Sequence, residues 1–472
     1  LINMASVYLE TPLEDLSEFP DPYSSGILPV GAARNCFVET TRGCPCRCHY
    51  CFYSKSFRSV RRHSEARVEA FFRWAGERDD VEDVYLLDPS FNLMPGLAGR
   101  LARLAAWNRR RIPLHTETRL EGIEDALAGA FRAAGFHSVE AGLQSVSRRA
   151  CAGVGRRLNL PAFARGAGAM RDAGVALEVG IILGLPGDGL AGFRRTLDWL
   201  GTQRLQHETE IFLLSLLPGT ALRERAVREG WRFMSKPPYY LLTGGGWDEA
   251  GLLQGIYDLE ESLDRSHYVD IPPYAETPPA GPYQHRIALA PPAEEWPRRL
   301  EENLHRLAQV LTLDVTVSDW SRDLPGLVRL GEILNRTSPF GITRVVLRAP
   351  EPVSRRAAET VREAFLVPDS YWNRVNYYRD DPAGVFNCRL FQRVPAPRWP
   401  DWIDHLAPGV DPIFELPASL DEFHALCAAL SERAEPLRAY LSGPAAEFSE
   451  SGRQVIRRAL DEYPLFERWL DA

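Results

Sequence analysis

The sequence predicts an α/β protein: a partial (β/α)6 barrel followed by a smaller C-terminal α/β or α+β domain. Up to about residue 230, short apolar runs alternate with amphipathic stretches, a pattern typical of a parallel sheet covered by helices. Polar residues or glycines follow each apolar run. A proline-dense segment at 272–297 then predicts a linker to the second domain.

The individual elements follow from hydrophobic periodicity. Six strands are predicted, at residues 36–41, 83–88, 113–117, 138–142, 176–183 and 210–216. Helices are predicted between them at 64–78, with Ser64 as N-cap, and at 96–108, 122–134, 160–173 and 188–202. Because parallel barrels carry their reactive groups at the carboxyl ends of the strands, the residues after each run are the candidate site.

Four cysteines follow the first predicted strand: Cys44, Cys46, Cys48 and Cys51. Three thiolates with the spacing Cys44-x3-Cys48-x2-Cys51 can hold three irons of a [4Fe–4S] cluster and leave the fourth iron open, as in a reactive site. Cys46 is interpreted as a bystander. Zinc is the alternative metal, but zinc sites usually draw on two separated ligand pairs, and no second pair with suitable spacing appears.

The other strand ends also carry candidate residues. They are Asp88 after the second strand, Glu117 and Arg119 after the third, Glu140, Gln144 and Ser145 after the fourth, and Gly180, Ile182 and Gly184 in the fifth. Glycine lets a planar base approach the backbone closely, and a buried acid needs a cation or a hydroxyl-bearing ligand. An alternative remains that Glu117 and Arg119 simply pair with each other or with Arg156 or Arg157.

The cysteine loop, with Tyr50 before its last cysteine, resembles the cluster loop of the radical SAM superfamily. The stretch Gly180-Ile181-Ile182-Leu183-Gly184 and the turn Leu185-Pro186-Gly187-Asp188 are similar to that superfamily's fifth strand. The resemblance implies that S-adenosylmethionine (SAM) is bound by Tyr50 and by the strand-end residues named above. The glycine pair that many members carry after the second strand is missing. No residue is assigned as a catalytic acid or base.

The resemblance is greatest to cobalamin-binding radical SAM proteins. It implies that residues 1–34 are a linker from a missing upstream cobalamin domain, and that 35–271 are the radical SAM barrel with a helical and aromatic extension. The implied function is reductive cleavage of SAM to a 5′-deoxyadenosyl radical, for cobalamin-dependent methylation of an unreactive centre. Cyclisation, rearrangement and methylthiolation remain alternatives, as does a zinc-binding interaction module. The implied partners are a small-molecule or peptide substrate and an electron donor such as flavodoxin or ferredoxin.

Composition sets the remaining expectations. The net charge of −8 gives no general attraction to nucleic acid, and no run of about 18 apolar residues suggests a membrane span. The cysteine pattern is typical of a reducing compartment, so a cytoplasmic protein is expected. Residues 298–472 form a C-terminal domain of unknown role. Its strands are predicted at 311–317, 343–348, 386–393 and 412–416, and its helices at 298–310, 325–336, 353–366, 420–441 and 450–461.

Overall fold

The structure is a computed structural model, and the chain divides into two compact units. One comprises Leu1–Ser235 with Tyr239–His267, and the other Lys236–Pro238 with Tyr268–Ala472. The described residues are 16–31, 34–53, 60–264, 284–307, 310–339, 341–366, 388–433, 439–443, 454–456, 458 and 466–469. Within these ranges, no helix has the length and apolar character needed to cross a bilayer.

The first unit is built on a six-stranded parallel sheet whose strands lie side by side in chain order. Its strands are β1 (Asn35–Val38), β2 (Asp83–Leu86), β3 (Leu114–Thr118), β4 (Phe136–Gln144), β5 (Ala176–Leu183) and β6 (Thr209–Leu213). The helices are α1 (Glu65–Gly76), α2 (Leu97–Trp107), α3 (Asp125–Ala134), α4 (Arg148–Gly153), α5 (Leu160–Asp172), α6 (Gly189–Thr202), α7 (Ala221–Arg228) and α8 (Glu249–Leu263). The predicted α/β class and six-strand barrel sheet are confirmed.

Alternation along the strands separates two faces of this sheet. In β4, Val139, Ala141 and Leu143 are fully buried beneath the helices, whereas Glu140 and Gln144 point to the opposite, inner face. The helix-side core includes a cluster of aromatic rings, with the Phe91 and Phe136 centroids 5.3 Å apart. The inner face is therefore free to carry polar groups, and the strand ends on that face build the candidate site.

Helix α1 begins where the sequence predicted it, after a capping serine. The Ser64 side chain accepts a hydrogen bond from the Arg67 amide and caps α1, as predicted.

Two short antiparallel ribbons were missed: Thr41–Arg42 with Arg61–Arg62, and Arg232–Phe233 with Leu241–Thr243. Helices α4 and α7 were also missed, because each is too short to produce a clear periodic signal.

The second unit contains a seven-stranded, wholly parallel sheet, again in chain order, so it is α/β rather than α+β. Its strands are β7 (Gln284–Leu289), β8 (Val310–Thr316), β9 (Ile342–Arg348), β10 (Cys388–Val394), β11 (Val410–Glu415), β12 (Ala439–Ser442) and β13 (Phe466–Trp469). The helices are α9 (Trp296–Asn303), α10 (Trp320–Thr337), α11 (Arg355–Phe365), α12 (Trp399–Trp402) and α13 (Leu420–Ser431). Apolar residues from β7–β10 and α9–α11 form the main core of this unit.

Several predictions for this half of the chain were wrong. Strand β7 and the start of α9 lie inside the predicted linker 272–297, of which residues 272–283 fall outside the described residues. Helix α13 ends at Ser431, and β12 occupies the end of the predicted helix 420–441. Most of the predicted helix 450–461, like residues 1–15 of the predicted N-terminal linker, also falls outside the described residues.

Two glycines on α5 test the packing of the first unit. A Cβ on Gly166 would lie 2.1 Å from the Leu120 carbonyl oxygen, so Gly166→Ala should destabilise the chain by about 1–3 kcal/mol. A Cβ on Gly168 would meet nothing within 4 Å, so Gly168→Ala should stabilise it by up to about 1 kcal/mol. Urea unfolding of the two variants checks the prediction, and equal shifts in the same direction would contradict it.

Candidate active site

The four clustered cysteines line one cavity at the carboxyl ends of the first-unit strands. The cavity has a volume of about 180 Å³. Its wall contains Cys44, Cys46, Cys48, Tyr50, Cys51, Tyr53, Pro89, Ser90, Glu117, Thr118, Arg119, Glu140, Gly142, Gln144 and Arg156. Residues contributed by the ends of β1–β4 and by the loop after α4 thus meet in one place, as the barrel prediction requires.

Backbone hydrogen bonds hold the cysteine loop in place. The His49 amide donates to the Val154 carbonyl (2.9 Å), and the His49 carbonyl accepts from the Leu222 amide (3.0 Å). Gly155, at φ +71°, allows the close approach, because a Cβ there would lie 2.9 Å from the His49 ring. The segment after α4 and the first turn of α7 therefore position the loop.

Asp88 fixes the start of the cysteine loop to the end of β2. Its fully buried carboxylate accepts hydrogen bonds from the backbone amides of Thr40 (2.8 Å) and Thr41 (2.9 Å), and also from the Thr40 hydroxyl. Arg100, whose guanidinium lies 4.2 Å from the Phe91 ring centroid, completes the network with an ion pair of 2.9 Å. Asp88 does not line the cavity, so the structure places it behind the loop as a positioning residue.

Arg119 makes the cysteine side of the cavity electropositive. It pairs with Glu121 at 2.6 Å, and its Nη1 lies 3.8 Å from the Cys46 sulfur. A hydrogen bond from Cys44 and then the charge of Arg119 lower the pKa of Cys46 to about 6, against the opposing effect of burial. The alternative pairing of Arg119 with Glu117 is wrong, since Glu121 is its partner. The charge of Arg119 thus favours the thiolate form of Cys46. A hydrogen bond with Cys46 and then burial raise the pKa of Cys44, and burial raises that of Cys51.

Gln144 occupies a bulge at the end of β4. Its φ is +71°, in the left-handed region that non-glycine residues rarely adopt, and the register with β5 shifts between Gly142 and Gln144. A Cβ on Gly142 would lie 2.2 Å from Gln144 Nε2, so the glycine makes room for the carboxamide. The Gln144 Oε1 atom is buried without a hydrogen-bond partner among the described residues. It is therefore available to a ligand.

Arg156 and Thr118 are among the cavity residues that sequence reasoning missed. Arg156 donates a hydrogen bond to the Gly142 carbonyl, while its buried Nε has no partner within the described part of the chain. Thr118 is only 5% exposed, and its hydroxyl likewise has no partner there. No local pattern could have singled them out in so arginine-rich a chain, since only the fold brings them to the cavity.

Glu117 and Glu140 share the cavity with the cysteines. Burial, and then the charge of Asp88, raise the pKa of Glu117 to about 7. Burial and the charges of Glu117 and Glu178 raise that of Glu140 to about 7 as well. Over the described residues, neither carboxylate lies within ion-pair distance of an arginine, lysine or histidine. Carboxyl groups with such values are common at functional sites.

The remaining predicted site residues lie outside the cavity wall. Ser145 is buried, accepts a hydrogen bond from the Ser147 amide and lies 3.4 Å from the Thr196 hydroxyl. Ile182 is buried in β5, and a Cβ on Gly184 would lie 3.1 Å from Leu214. A Cβ on Gly180 would lie 3.3 Å from the Phe212 ring and 3.8 Å from a Glu140 oxygen, so Gly180 borders the site.

Comparison with known families agrees with this geometry. Residues 38–200 match the family described as the radical SAM superfamily. This chain contains a radical SAM domain. The match begins in β1, includes the whole cysteine loop and ends in α6, so it covers the strands that build most of the cavity.

Two characterised relatives are similar to parts of the chain. The cobalamin-dependent radical SAM methyltransferase TokK of Streptomyces tokunonensis is 25% identical over 280 residues, which are 55% of this chain and 40% of TokK. The 2-(S-pantetheinyl)-carbapenam-3-carboxylate methyltransferase of Streptantibioticus cattleyicolor is 33% identical over 88 residues, 16% of this chain and 13% of that protein. The chain thus spans well under half the length of either relative.

Solved structures include the radical SAM methyltransferase TsrM from Kitasatospora setae. It has a TM-score of 0.42 and 17% identity, covering 49% of this chain and 52% of TsrM. OxsB, a cobalamin-dependent SAM radical enzyme, has a TM-score of 0.38 and 15% identity, covering 47% of this chain and 40% of OxsB.

The residues of the radical SAM domain fit the cofactors that the superfamily implies. Four thiols in one cavity suit an iron–sulfur cluster, although thiolates alone would suit zinc equally well. The unpaired Gln144 Oε1 and Arg156 Nε add an acceptor and a cationic donor in the same wall. Those two groups suit a ligand with hydroxyl, amino and carboxylate groups, as SAM has, and a zinc site would leave them without a role.

Removing the Asp88 carboxylate tests how the loop of the radical SAM domain is held. Asp88→Ala removes the only carboxylate paired with Arg100 among the described residues and leaves two buried amides without an acceptor, so it should cost roughly 3–5 kcal/mol in urea unfolding and lower the iron bound per chain. Glu65→Ala breaks the exposed ion pair with Arg103 and should cost no more than about 1 kcal/mol. Equal losses in the two variants would contradict the assigned role.

The raised pKa of Glu140 predicts a dependence of stability on pH. The folded metal-free chain holds this proton up to a pH of about 7, whereas the unfolded chain releases it near 4.5, so ionisation costs stability as pH rises through that interval. Glu140→Gln should therefore be stabilising relative to wild type by an amount that grows from about pH 5 to about pH 8, reaching on the order of 1–3 kcal/mol. Urea unfolding across that range measures the difference, and a constant difference would refute the prediction.

Proposed function

We propose that this chain is an enzyme that cleaves SAM reductively at a [4Fe–4S] cluster ligated by Cys44, Cys48 and Cys51. The observation that carries the proposal is the convergence of the cysteine loop with a cationic and amide-bearing wall in one cavity inside the matched domain. Three thiolates bind three of the four irons and leave the fourth open to a ligand such as SAM. When bound, the cluster supplies one electron that breaks a carbon–sulfur bond of SAM, giving methionine and a 5′-deoxyadenosyl radical.

The chain's own residues supply binding and orientation. Tyr50 is a partly buried wall residue beside the proposed ligand cysteines, and its main chain is proposed to support the adenine. Gln144 Oε1 would accept a hydrogen bond from SAM, and Arg156 Nε would donate one to its carboxylate. Arg119, fixed by Glu121, keeps the thiol side of the cavity positive. Gly180 lies on the inner face of the sheet, where the absence of a side chain leaves space beside Glu140.

Cys46 is proposed not to ligate the cluster. It faces the same cavity, but it lies beside Arg119 rather than in the three-cysteine spacing. Ser145, Ile182 and Gly184 are proposed to act through packing, because they lie outside the cavity wall. These assignments separate the ligand cysteines from the residues that only shape the site.

Methyl transfer is the reaction subclass that we favour. This rests on the names of the two relatives, both of them methyltransferases, one called cobalamin-dependent. No described residue of this chain is assigned to cobalamin. The proposal implies that methylated product appears only when cobalamin is supplied to the system. A reduced flavodoxin or ferredoxin is the proposed electron donor.

Anaerobic reconstitution with iron and sulfide tests the proposal. The wild-type chain should bind about four irons and release 5′-deoxyadenosine from SAM under dithionite. Cys48→Ala should lower that product at least about 100-fold without changing the circular dichroism spectrum, because a lost ligand dismantles the cluster.

Cys46→Ala is the matched control, since it removes a thiol from the same loop, and it should keep most of the product. One zinc per chain with no 5′-deoxyadenosine would overturn the proposal in favour of a zinc-binding interaction module. Equal loss in the two variants would instead place Cys46 among the ligands.

A further inference from the structure

The cysteine loop has one side that faces the cavity and another that faces outward. Its residues in the cavity wall are Cys44, Cys46, Cys48, Tyr50, Cys51 and Tyr53. Pro45, Arg47 and Phe52 alternate with them, lie outside the wall and are exposed. Each of these three residues is adjacent in sequence to one of the proposed cluster ligands. A partner that contacts them would therefore come close to the cluster without entering the cavity.

The segment after α4 extends this outward side of the loop. Arg156 lines the cavity, whereas Arg157 is exposed and lies outside the wall. A Cβ on Gly155 would lie 3.0 Å from the Arg47 carbonyl oxygen, so this segment packs directly on the loop. The Arg157 carbonyl accepts a hydrogen bond from Arg119 Nη2 at 3.1 Å, which holds it beside the cysteines. We call Pro45, Arg47, Phe52 and Arg157 the outer loop face.

The segments around the outer loop face are strongly basic, although the chain has a net charge of −8. Residues 44–53, 148–157 and 219–228 contain one, four and three arginines, against the single carboxylate of Glu224. The exposed members are Arg47, Arg148, Arg149, Arg157 and Arg228. Within the described ranges, none of these five forms an ion pair with a carboxylate. Positive charge concentrated in this way attracts and orients an acidic partner.

The outer loop face also carries an exposed aromatic ring. Phe52 is 49% exposed, and a Cβ on Gly219 would lie 3.6 Å from its ring, so the turn before α7 packs beside it. Arginine and aromatic residues are enriched in protein–protein interfaces, where an aromatic anchor becomes buried. An exposed ring among arginines is therefore typical of a surface that another protein covers.

We propose that an acidic one-electron carrier protein docks on the outer loop face and passes one electron to the cluster. The carrier is oxidised by one electron and the cluster is reduced by one, so the step needs no further reactant. This inference rests on the proposed function. Arg47 and Arg157 orient carboxylates of the carrier, and Phe52 packs against an apolar group beside its redox centre. A carrier of substrate would instead need the cavity side of the loop, where SAM is proposed to bind.

Binding of two acidic carriers to the reconstituted chain tests the proposal. Oxidised flavodoxin and oxidised ferredoxin are titrated separately by calorimetry, and at least one should bind, with an affinity that falls as salt is added. The variant Arg47→Glu/Arg157→Glu should weaken that binding about tenfold or more. The matched control is Arg109→Glu/Arg132→Glu, which makes the same change of charge at exposed arginines beside the amino ends of the strands. It should leave the affinity unchanged.

The rate of cluster reduction provides a second readout. Reduced flavodoxin or ferredoxin should reduce the cluster of Arg47→Glu/Arg157→Glu about tenfold or more slowly than that of wild type. Reduced methyl viologen, a small cation that needs no docking surface, should reduce both at the same rate. Each variant is first checked by circular dichroism, and the single variants Arg47→Gln and Arg157→Gln replace the double variant if it does not fold.

Three outcomes would overturn the proposal. One is that neither carrier binds the wild-type chain. Another is an equal loss of affinity in the two double variants, which would indicate a general effect of charge rather than a docking surface. The third is tight binding of a single-stranded oligonucleotide that Arg47→Glu/Arg157→Glu abolishes and that neither carrier displaces, which would make this face a nucleic-acid site.

Failure of this inference can be distinguished from failure of the proposed function. Release of 5′-deoxyadenosine from SAM under dithionite measures the latter and needs no protein carrier. If that product forms and the carriers do not depend on Arg47 and Arg157, only the docking inference falls. If the carriers bind as expected and no reductant yields the product, the proposed function falls.

Discussion

The buried carboxylate of Asp88 is the interaction on which the site depends most. It gathers two backbone amides, one hydroxyl and the Arg100 guanidinium at the junction between β1 and the cysteine loop. A buried charge is tolerated only when it is paired and fully hydrogen-bonded, so this junction has little freedom to rearrange. The direction in which the loop leaves the sheet is therefore fixed before any metal binds, and the cysteines face the cavity.

The two sides of the cavity carry side chains of opposite charge. Arg119 and Arg156 lie with the thiols on one side, where their guanidinium groups suit anionic groups and Arg119 favours the thiolate of Cys46. Glu117 and Glu140 lie on the other side, continued by Glu178 deeper in the barrel. Such a division suits two reactants of opposite charge, held in one cavity and separated by about two strand positions. Close, oriented binding of this kind is what a short-lived radical requires of its enzyme.

Much of the first unit could be predicted from sequence, because buried parallel strands are apolar, short and bounded by clear turns. The proposed cysteine ligands could be named for a similar reason, since the signal lies in their local spacing. The second unit was harder: β7 contains His285 and Arg286 and reads as polar, yet Arg286 is accommodated by an ion pair of 2.5 Å with Asp314 on β8. No local pattern reports a partner on another strand.

The same limit applies within the site. Asp88 was expected to bind SAM, but its role depends on Arg100 and Thr40, which only the fold brings to it. Glu117, Glu140 and Glu178 form a layer only through the registers of three strands, which the sequence does not reveal. Gln144 was predicted because it lies at a strand end, whereas its positive φ and its unpaired oxygen depend on the bulge at the end of β4, which the sequence does not reveal.

The central claim is that three cysteines hold a cluster whose remaining iron binds SAM. Electron paramagnetic resonance of the dithionite-reduced chain, with SAM carrying ¹⁵N in its amino group, tests that claim most directly. We expect a reduced [4Fe–4S] signal that shifts on addition of SAM and shows hyperfine coupling to the ¹⁵N nucleus. A cluster signal that SAM does not alter, or a chain that holds zinc and gives no signal, would contradict the account.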